Sequence, residues 1–432
     1  MSDARGPARP LGGSWNLSGE GGLGAWRERF EAVEPSLHAF LPEPGRWRRV
    51  AAEIADRERT WPDATARPPL FAAPVGVKDV FRVAGLPTLA GFAEPPVSFA
   101  GEEAEAVRRL RVAGAVVAGK TVTTEGAFFE PGPTENPRAP GHTPGGSSSG
   151  SAAAVGAGLV PLALGTQTIG SVCRPAAFCG VVGFKPSRER IPRDGLVPLS
   201  PSLDHVGVLA ASVEWARRAA AVLCDGWLGG EAPAGRPRLG LPVGPYLDPL
   251  EPAARDHLAA VCGRLRAAGL EVVEIPAFAD FPSLAERHRR IVAAEAAVVH
   301  AAGFARHPER YRPRTAELVE RGLGVDPVVL AADLAGRERL RLELERLMSE
   351  HAIDLWLSPA APGPPPRGLA TTGDPILNLP WTHAGLPVVA LPAGATPDGL
   401  PLGIQLTARF GDDEGLLARA AALASVVEGT GG

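Results

Sequence analysis

In a chain of 432 residues, 41 of the 44 basic side chains are arginine, and only Lys78, Lys120 and Lys185 are lysine. A lysine loses its proton at tolerable cost when desolvated, whereas arginine stays charged, so the few lysines that remain are candidates for acid–base chemistry. Lys78 closes the apolar run PVGVK, where burial is expected. Lowering its pKa from about 10.4 to near 8 takes roughly 3 kcal/mol of desolvation, within the range of buried lysines. Serine supplies the complementary chemistry. The cluster GGSSSGS at 145–151 and the turn TIGS ending at Ser171 offer hydroxyls, and a hydroxyl becomes a nucleophile once a neighbouring base takes its proton. Each feature also has a plain reading, a flexible loop for the cluster and a solvated side chain for the lysine.

Two other patterns point to different chemistry and fail on context. Residues 114–121, GAVVAGKT, match the phosphate-loop pattern GxxxxGK[ST]. A phosphate loop needs a strand before its first glycine and a helix after its last residue. Here strand-forming Ala115–Ala118 fill the loop itself, and the stretch reads as a buried strand ending in Gly-Lys. Residues 146–150, GSSSG, match a nucleophile elbow centred on Ser148. That elbow follows a core strand, and NPRAPGHTPG cannot be one. The nine histidines form no HExxH or other tight ligand pair, so no metal site is expected.

Taken together, PVGVKD, GGSSSGSAAAV and PLALGTQTIGSVCRPAAFCGVVGFKPS resemble the amidase signature family of Ser-cisSer-Lys hydrolases. The three blocks stand in the family's order, with Lys78, Ser147 and Ser171 separated by 69 and 24 residues. GKT at 119–121, the Asn-Pro at 136–137, GLPVVALPAG at 385–394 and GLPLGIQL at 399–406 extend the likeness. It covers roughly residues 69–190 and 354–425, and the helical stretch between shows no match. The resemblance implies Ser171 as nucleophile, Ser147 as a bridging serine after a cis peptide bond, and Lys78 as base. It implies an oxyanion hole from the backbone N–H groups of Thr168, Ile169, Gly170 and Ser171, an acyl-enzyme, no metal and no organic cofactor. Electrostatic stabilisation of this kind needs a turn with little side-chain crowding.

Two departures from the family pattern matter. Many members carry Gly-Gly before the nucleophile, whereas this chain has Ile169-Gly170, and a β-branched residue there would narrow the acyl pocket, reducing or redirecting activity. Many also read GTD with arginine two residues after the nucleophile; here Gln167 replaces the aspartate, Cys173 takes the arginine's place, and Arg174 follows one residue later. That pattern is similar to the malonamidase branch, in which the arginine holds a substrate carboxylate, work suited to a planar guanidinium fork. Arg174 is thus read as a carboxylate anchor or, alternatively, as half of a structural ion pair. Cys173 is read as a buried filler, and Lys185, Lys120 and Asp79 as structural, the last as a cap or turn residue. The expected function is hydrolysis of a carbon–nitrogen amide bond, on a small carboxylate-bearing amide such as malonamate. The alternatives are an aryl or alkyl amide, the amide-transferring branch that works on charged tRNA, which Gln167 and the shifted arginine fit poorly, a silent relative, and a nucleotide binder using 114–121.

The elements that must position these residues read as α/β. Short Val- and Ala-rich runs alternate with Gly/Pro turns and helical stretches from Pro74 onward. The resemblance implies a single amidase-signature domain, a mixed central sheet flanked by helices. Residues 25–60 carry helical periodicity broken by LPEPG, and a helical block at about 283–350 reads as an insertion or lid, with strand-like pieces on both sides. Residues 1–24 read as a flexible N-terminal tail and 25–432 as the domain. A formal net charge of -4 gives no basic field for nucleic acid. Four cysteines are too few for a disulfide framework, and a cytoplasmic setting is expected. The apolar window 151–170 has the length of a membrane span but is rich in Ala and Gly with Pro161 near its centre, so a buried core segment is expected and no membrane partner. A homodimer is expected by family analogy.

Overall fold

PVGVK and VVAGKT are buried at every position, the mark of parallel strands covered on both faces. The computed structural model describes residues 15–19, 21–230 and 235–429. The chain opens with α1 (Gly22–Leu37) and α2 (Arg46–Thr60), then runs through β1 (Pro74–Lys78), α3 (Glu105–Val112), β2 (Val116–Thr121), α4 (Ser149–Gly156), β3 (Leu162–Gln167) and α5 (Cys173–Cys179). It continues with β4 (Val182–Lys185), β5 (His205–Ala210), α6 (Val213–Leu223), β6 (Leu239–Val243), α7 (Pro252–Ala267) and β7 (Val272–Pro276). Three helices follow, α8 (Phe281–Arg306), α9 (Pro313–Leu323) and α10 (Pro327–Glu350). The remainder is β8 (Leu355–Pro359), α11 (Leu379–His383), β9 (Val388–Ala395), β10 (Pro401–Thr407) and α12 (Asp413–Glu428).

The ten strands among the described residues form one mixed sheet in the order β2-β1-β3-β5-β4-β9-β10-β8-β6-β7. Pairing is parallel at both edges, between β1 and its neighbours β2 and β3, and between β6 and its neighbours β7 and β8. The middle, from β3 through β8, is antiparallel. The chain leaves the sheet after β7, builds the three helices, and returns to insert β9 and β10 between β4 and β8. One continuous core follows from that return, and the molecule is a single α/β domain. Proline in the first turn starts α8, α9 and α10. The Asp326 carboxylate caps α10 by accepting from the amide of Val328 at 2.7 Å.

The structure corrects one boundary and one residue's role. Of the expected tail 1–24, residues 1–14 and 20 lie outside the described residues, but Trp15 and Leu17 are buried and α1 begins at Gly22. Two such apolar side chains gain more from the core than from water, so the packed chain starts before residue 25. Asp79 is more than a cap. Its carboxylate accepts from the amide of Leu89 and also meets the Lys120 ammonium at 2.6 Å, both side chains buried. Lys120 therefore belongs to an ion pair on strand β2, not to a phosphate loop. The window 151–170 divides into α4 and β3, and no helix among the described residues is long and apolar enough to cross a membrane.

Candidate active site

The side chains singled out by their chemistry converge at the carboxyl ends of β1 and β3, the usual place for a site in an open parallel sheet. Lys78 is the last residue of β1. Parallel pairing sets Val77 beside Leu164, so the Lys78 side chain lies level with the end of β3. There its ammonium nitrogen sits 2.8 Å from Ser147 Oγ and 2.7 Å from Thr166 Oγ1. Ser147 follows the cis peptide bond Gly146–Ser147 just before α4. Gly145 adopts φ +79 there, and a Cβ on it would meet Pro175 Cα at 2.8 Å, so only glycine suits this turn.

Lys78 is fully buried, and burial pulls its pKa down to about 7 against the opposing pull of the Asp204 carboxylate. At neutral pH much of the amine is therefore free to accept a proton. Asp204 is itself buried and pushed up to about 6 by desolvation. It accepts from Thr168 Oγ1 at 2.6 Å and from the amides of Leu199 and Ser200.

After β3 the chain turns sharply through Thr168–Ser171 into α5. Gln167 organises that turn: its Oε1 accepts from the amides of Val172 and Cys173 at 2.9 Å each, and its Nε2 donates to Thr382 Oγ1 at 3.0 Å. An aspartate could accept the first two but could not make the last bond. The turn's carbonyls are tied down on the side away from the pocket, Thr168 by His288 Nε2 at 3.1 Å and Ile169 by Thr382 Oγ1 at 2.7 Å. In a trans peptide the N–H points opposite the C=O, so the amides of Ile169 and Gly170 face the other way. Gly170 is required by space, since a Cβ would lie 2.2 Å from Asn378 Oδ1.

Ser147, Thr168, Ile169, Ser171 and Arg174 line one small pocket, walled by Ala127, Phe128, Phe129, Leu199 and Pro375. Among the described residues no hydrogen bond joins the Ser147 and Ser171 hydroxyls directly; what the structure brings together is Lys78 with Ser147, and both serines with the turn. Catalytic hydrogen bonds often tighten only with substrate present. Arg174 is fully buried. Its Nη2 donates to the Gly146 carbonyl at 2.6 Å and to Thr372 Oγ1 at 3.1 Å, while Nε and Nη1 have no partner among the described residues. Among those residues no carboxylate pairs with it at close range, and the charge of Asp374 acts on it from farther away. Cys173 is buried with its thiol pushed up to about 12, which keeps it protonated. Lys185 is tied to the carbonyls of Leu386 and Pro186, away from the relay.

Asp204, Thr166, Thr382 and His288 were not legible as site residues. Thr166 and Thr382 are hydroxyl residues of a strand and a short helix, His288 is one polar residue of a long helix, and Asp204 stands in the turn before β5, with no spacing that signals chemistry.

Known proteins resemble this chain in sequence and fold. The Amidase family model matches residues 23–417. A glutamyl-tRNA(Gln) amidotransferase subunit of Synechococcus sp. (strain WH7803) is 32% identical over 434 residues, 88% of each chain. The crystal structure of an amidase superposes with TM-score 0.83 at 34% identity over 95% of both chains. The peptide amidase of Stenotrophomonas maltophilia gives 0.76 at 27% identity, over 94% of this chain and 93% of that one. The relatives thus include the amide-transferring type expected to fit poorly, and they do not single out a malonamidase branch.

Proposed function

This chain belongs to the amidase family, and from that premise and the geometry of its site we propose that it hydrolyses amides through an acyl-enzyme on Ser171, with Lys78 and Ser147 as the proton relay. The observation that carries the proposal is the buried contact of 2.8 Å between Lys78 Nζ and Ser147 Oγ. Neutral Lys78 accepts the Ser147 proton as Ser147 accepts that of Ser171, whose oxygen bonds to the substrate carbonyl carbon. The resulting oxyanion is held by the amides of the turn 168–171. The carbon–nitrogen bond then breaks, the relay returns a proton through Ser147 to the departing nitrogen, and water cleaves the ester by the same path.

Within this class the favoured substrate is one with a small acyl group carrying a carboxylate. Support comes from the narrow pocket and from Arg174, a buried cation on its wall with two nitrogens unpartnered among the described residues. A buried charge is costly; Asp374 offsets part of that cost from a distance, and an acidic substrate would add a direct partner. The test is ammonia release from a panel pairing neutral amides with acidic ones such as malonamate, with wild type and Ser171→Ala side by side. Serine-dependent release supports the amidase; release without Ser171 overturns it.

The name of the Synechococcus relative favours a second reading, transfer of the amide nitrogen to another acceptor. The net charge of -4 gives little attraction for a charged tRNA, and nitrogen recovered on the acceptor in place of free ammonia would decide for transfer. A reducing, cytoplasmic setting belongs to the same reading, supported by four buried, unpaired cysteines. So does a homodimer, supported by family likeness alone and checked by light scattering.

A further inference from the structure

The least expected contacts of the site come from the helical block between β7 and β8. His288 of α8 and His383 of α11 are both fully buried, with Nδ1 atoms 3.2 Å apart, and His288 Nε2 reaches the Thr168 carbonyl at 3.1 Å. A carbonyl only accepts, so His288 Nε2 carries the hydrogen. Burial, helped by the charge of Arg337, holds the His288 pKa down to about 3, so its ring is neutral and Nδ1 is a lone-pair acceptor. The hydrogen between the rings then belongs to His383, whose Nδ1 donates while its Nε2 is left bare and buried. The direction of the chain is fixed throughout: His383 donates to His288, and His288 donates to Thr168. The preceding residue of α11, Thr382, runs a parallel chain, accepting from Gln167 and donating to the Ile169 carbonyl. Two neighbouring residues of one short helix thus end on two successive carbonyls of the same turn.

We propose that His288, backed by His383, is a positioning residue that orients the oxyanion turn: by fixing the Thr168 carbonyl it fixes the opposed Ile169 N–H toward the pocket. The assignment rests on reading 168–171 as the oxyanion turn. It gives the helical block, through His288, a role in the reaction that the spacing of its residues does not signal. It also separates this pair from proton transfer, since both rings are held neutral and neither lines the pocket. Chains of like-directed hydrogen bonds strengthen one another in a low-dielectric interior, and a small misplacement of an electrostatic donor costs large factors in rate.

The experiment compares wild type, His288→Phe and His288→Gln, with Ser171→Ala as the blank. Phenylalanine keeps the ring and loses the donor; glutamine restores an N–H near the position of Nε2. His288→Phe is expected to lose about 10- to 100-fold in kcat with KM within about threefold, and His288→Gln to recover most of that loss. Amide hydrogen exchange at 169–171 should quicken in His288→Phe and not in His288→Gln, a readout that does not depend on which amide is the substrate. Should His288→Phe fail to fold, His383→Leu removes the donor behind His288 and is read in the same way. Equal impairment in the Phe and Gln variants, or unchanged exchange and kcat in a folded His288→Phe, would overturn the proposal. Wild type that releases no ammonia yet shows the exchange difference would instead count against the amidase reading and leave the positioning role standing.

Discussion

Burial leaves the Lys78 amine near neutrality, and this decides how the site responds to pH. Below about pH 7 the amine holds a proton and cannot accept one from Ser147. Amide turnover is therefore expected to fall with a pKa near 7, about tenfold per unit on the acid side. Asp204 favours the charged amine, so Asp204→Asn should move that limb to lower pH; a shift upward would contradict the assignment. Among side-chain variants, Ser171→Ala should abolish turnover with the fold intact, Lys78→Ala should come close to it, and Ser147→Ala should cost somewhat less. Arg174→Ala should weaken acidic amides selectively, and equal losses on neutral and acidic amides would remove the anchor. Lys78, Ser147 and Ser171 were legible because three blocks of small residues stand in a fixed order around them. Asp204 was not, because a single carboxylate before an apolar strand reads like any turn residue, and only the fold shows it facing a buried amine.

At the scale of elements, the site is a meeting of tight turns that need glycine and two helices that need nothing unusual. In the turn 168–171 the constraint is at Gly170, where an added methyl group meets Asn378 Oδ1 at 2.2 Å. Gly170→Ala is expected to lower stability by about 1–3 kcal/mol, and amide turnover by far more than that loss explains, because the turn must shift to relieve the clash. Thermal unfolding and kcat measured on the same sample check both parts; a variant as active as wild type would show that the turn tolerates the shift. The strand ending in Lys78 was readable from PVGVK, and the helices of 283–350 from their periodicity. The pairing of His288 with Thr168 was not, since periodicity gives an inward face and not what that face touches.

For the molecule as a whole, the notable cost is two fully buried lysines. Lys78 and Lys185 are each drawn down to about 7 by desolvation, whereas in the unfolded chain they titrate near the ordinary lysine value of 10.5. Between those values the unfolded chain binds more protons than the native one, so stability rises with pH from neutrality upward. Two such groups give a rise of at most about 2.7 kcal/mol per unit, visible as an increasing Tm between about pH 7 and 8.5. In Lys185→Met that rise should be about half as steep, and a Tm falling over the same interval in wild type would contradict the burial of both amines. The α/β class was legible from alternating runs and turns. The insertion of β9 and β10 between β4 and β8 was not, because these strands arrive from beyond the helical block and depend on long-range pairing.

An acyl-enzyme on Ser171 is central to this mechanism, and peptide mass mapping after rapid quenching of the enzyme with a slow amide or activated ester tests it most directly. An acyl group is expected on the peptide containing Ser171, absent in Ser171→Ala and strongly reduced in Lys78→Ala. An adduct on Ser147 or Cys173, or wild type labelled no more than Ser171→Ala while it releases ammonia, would contradict it.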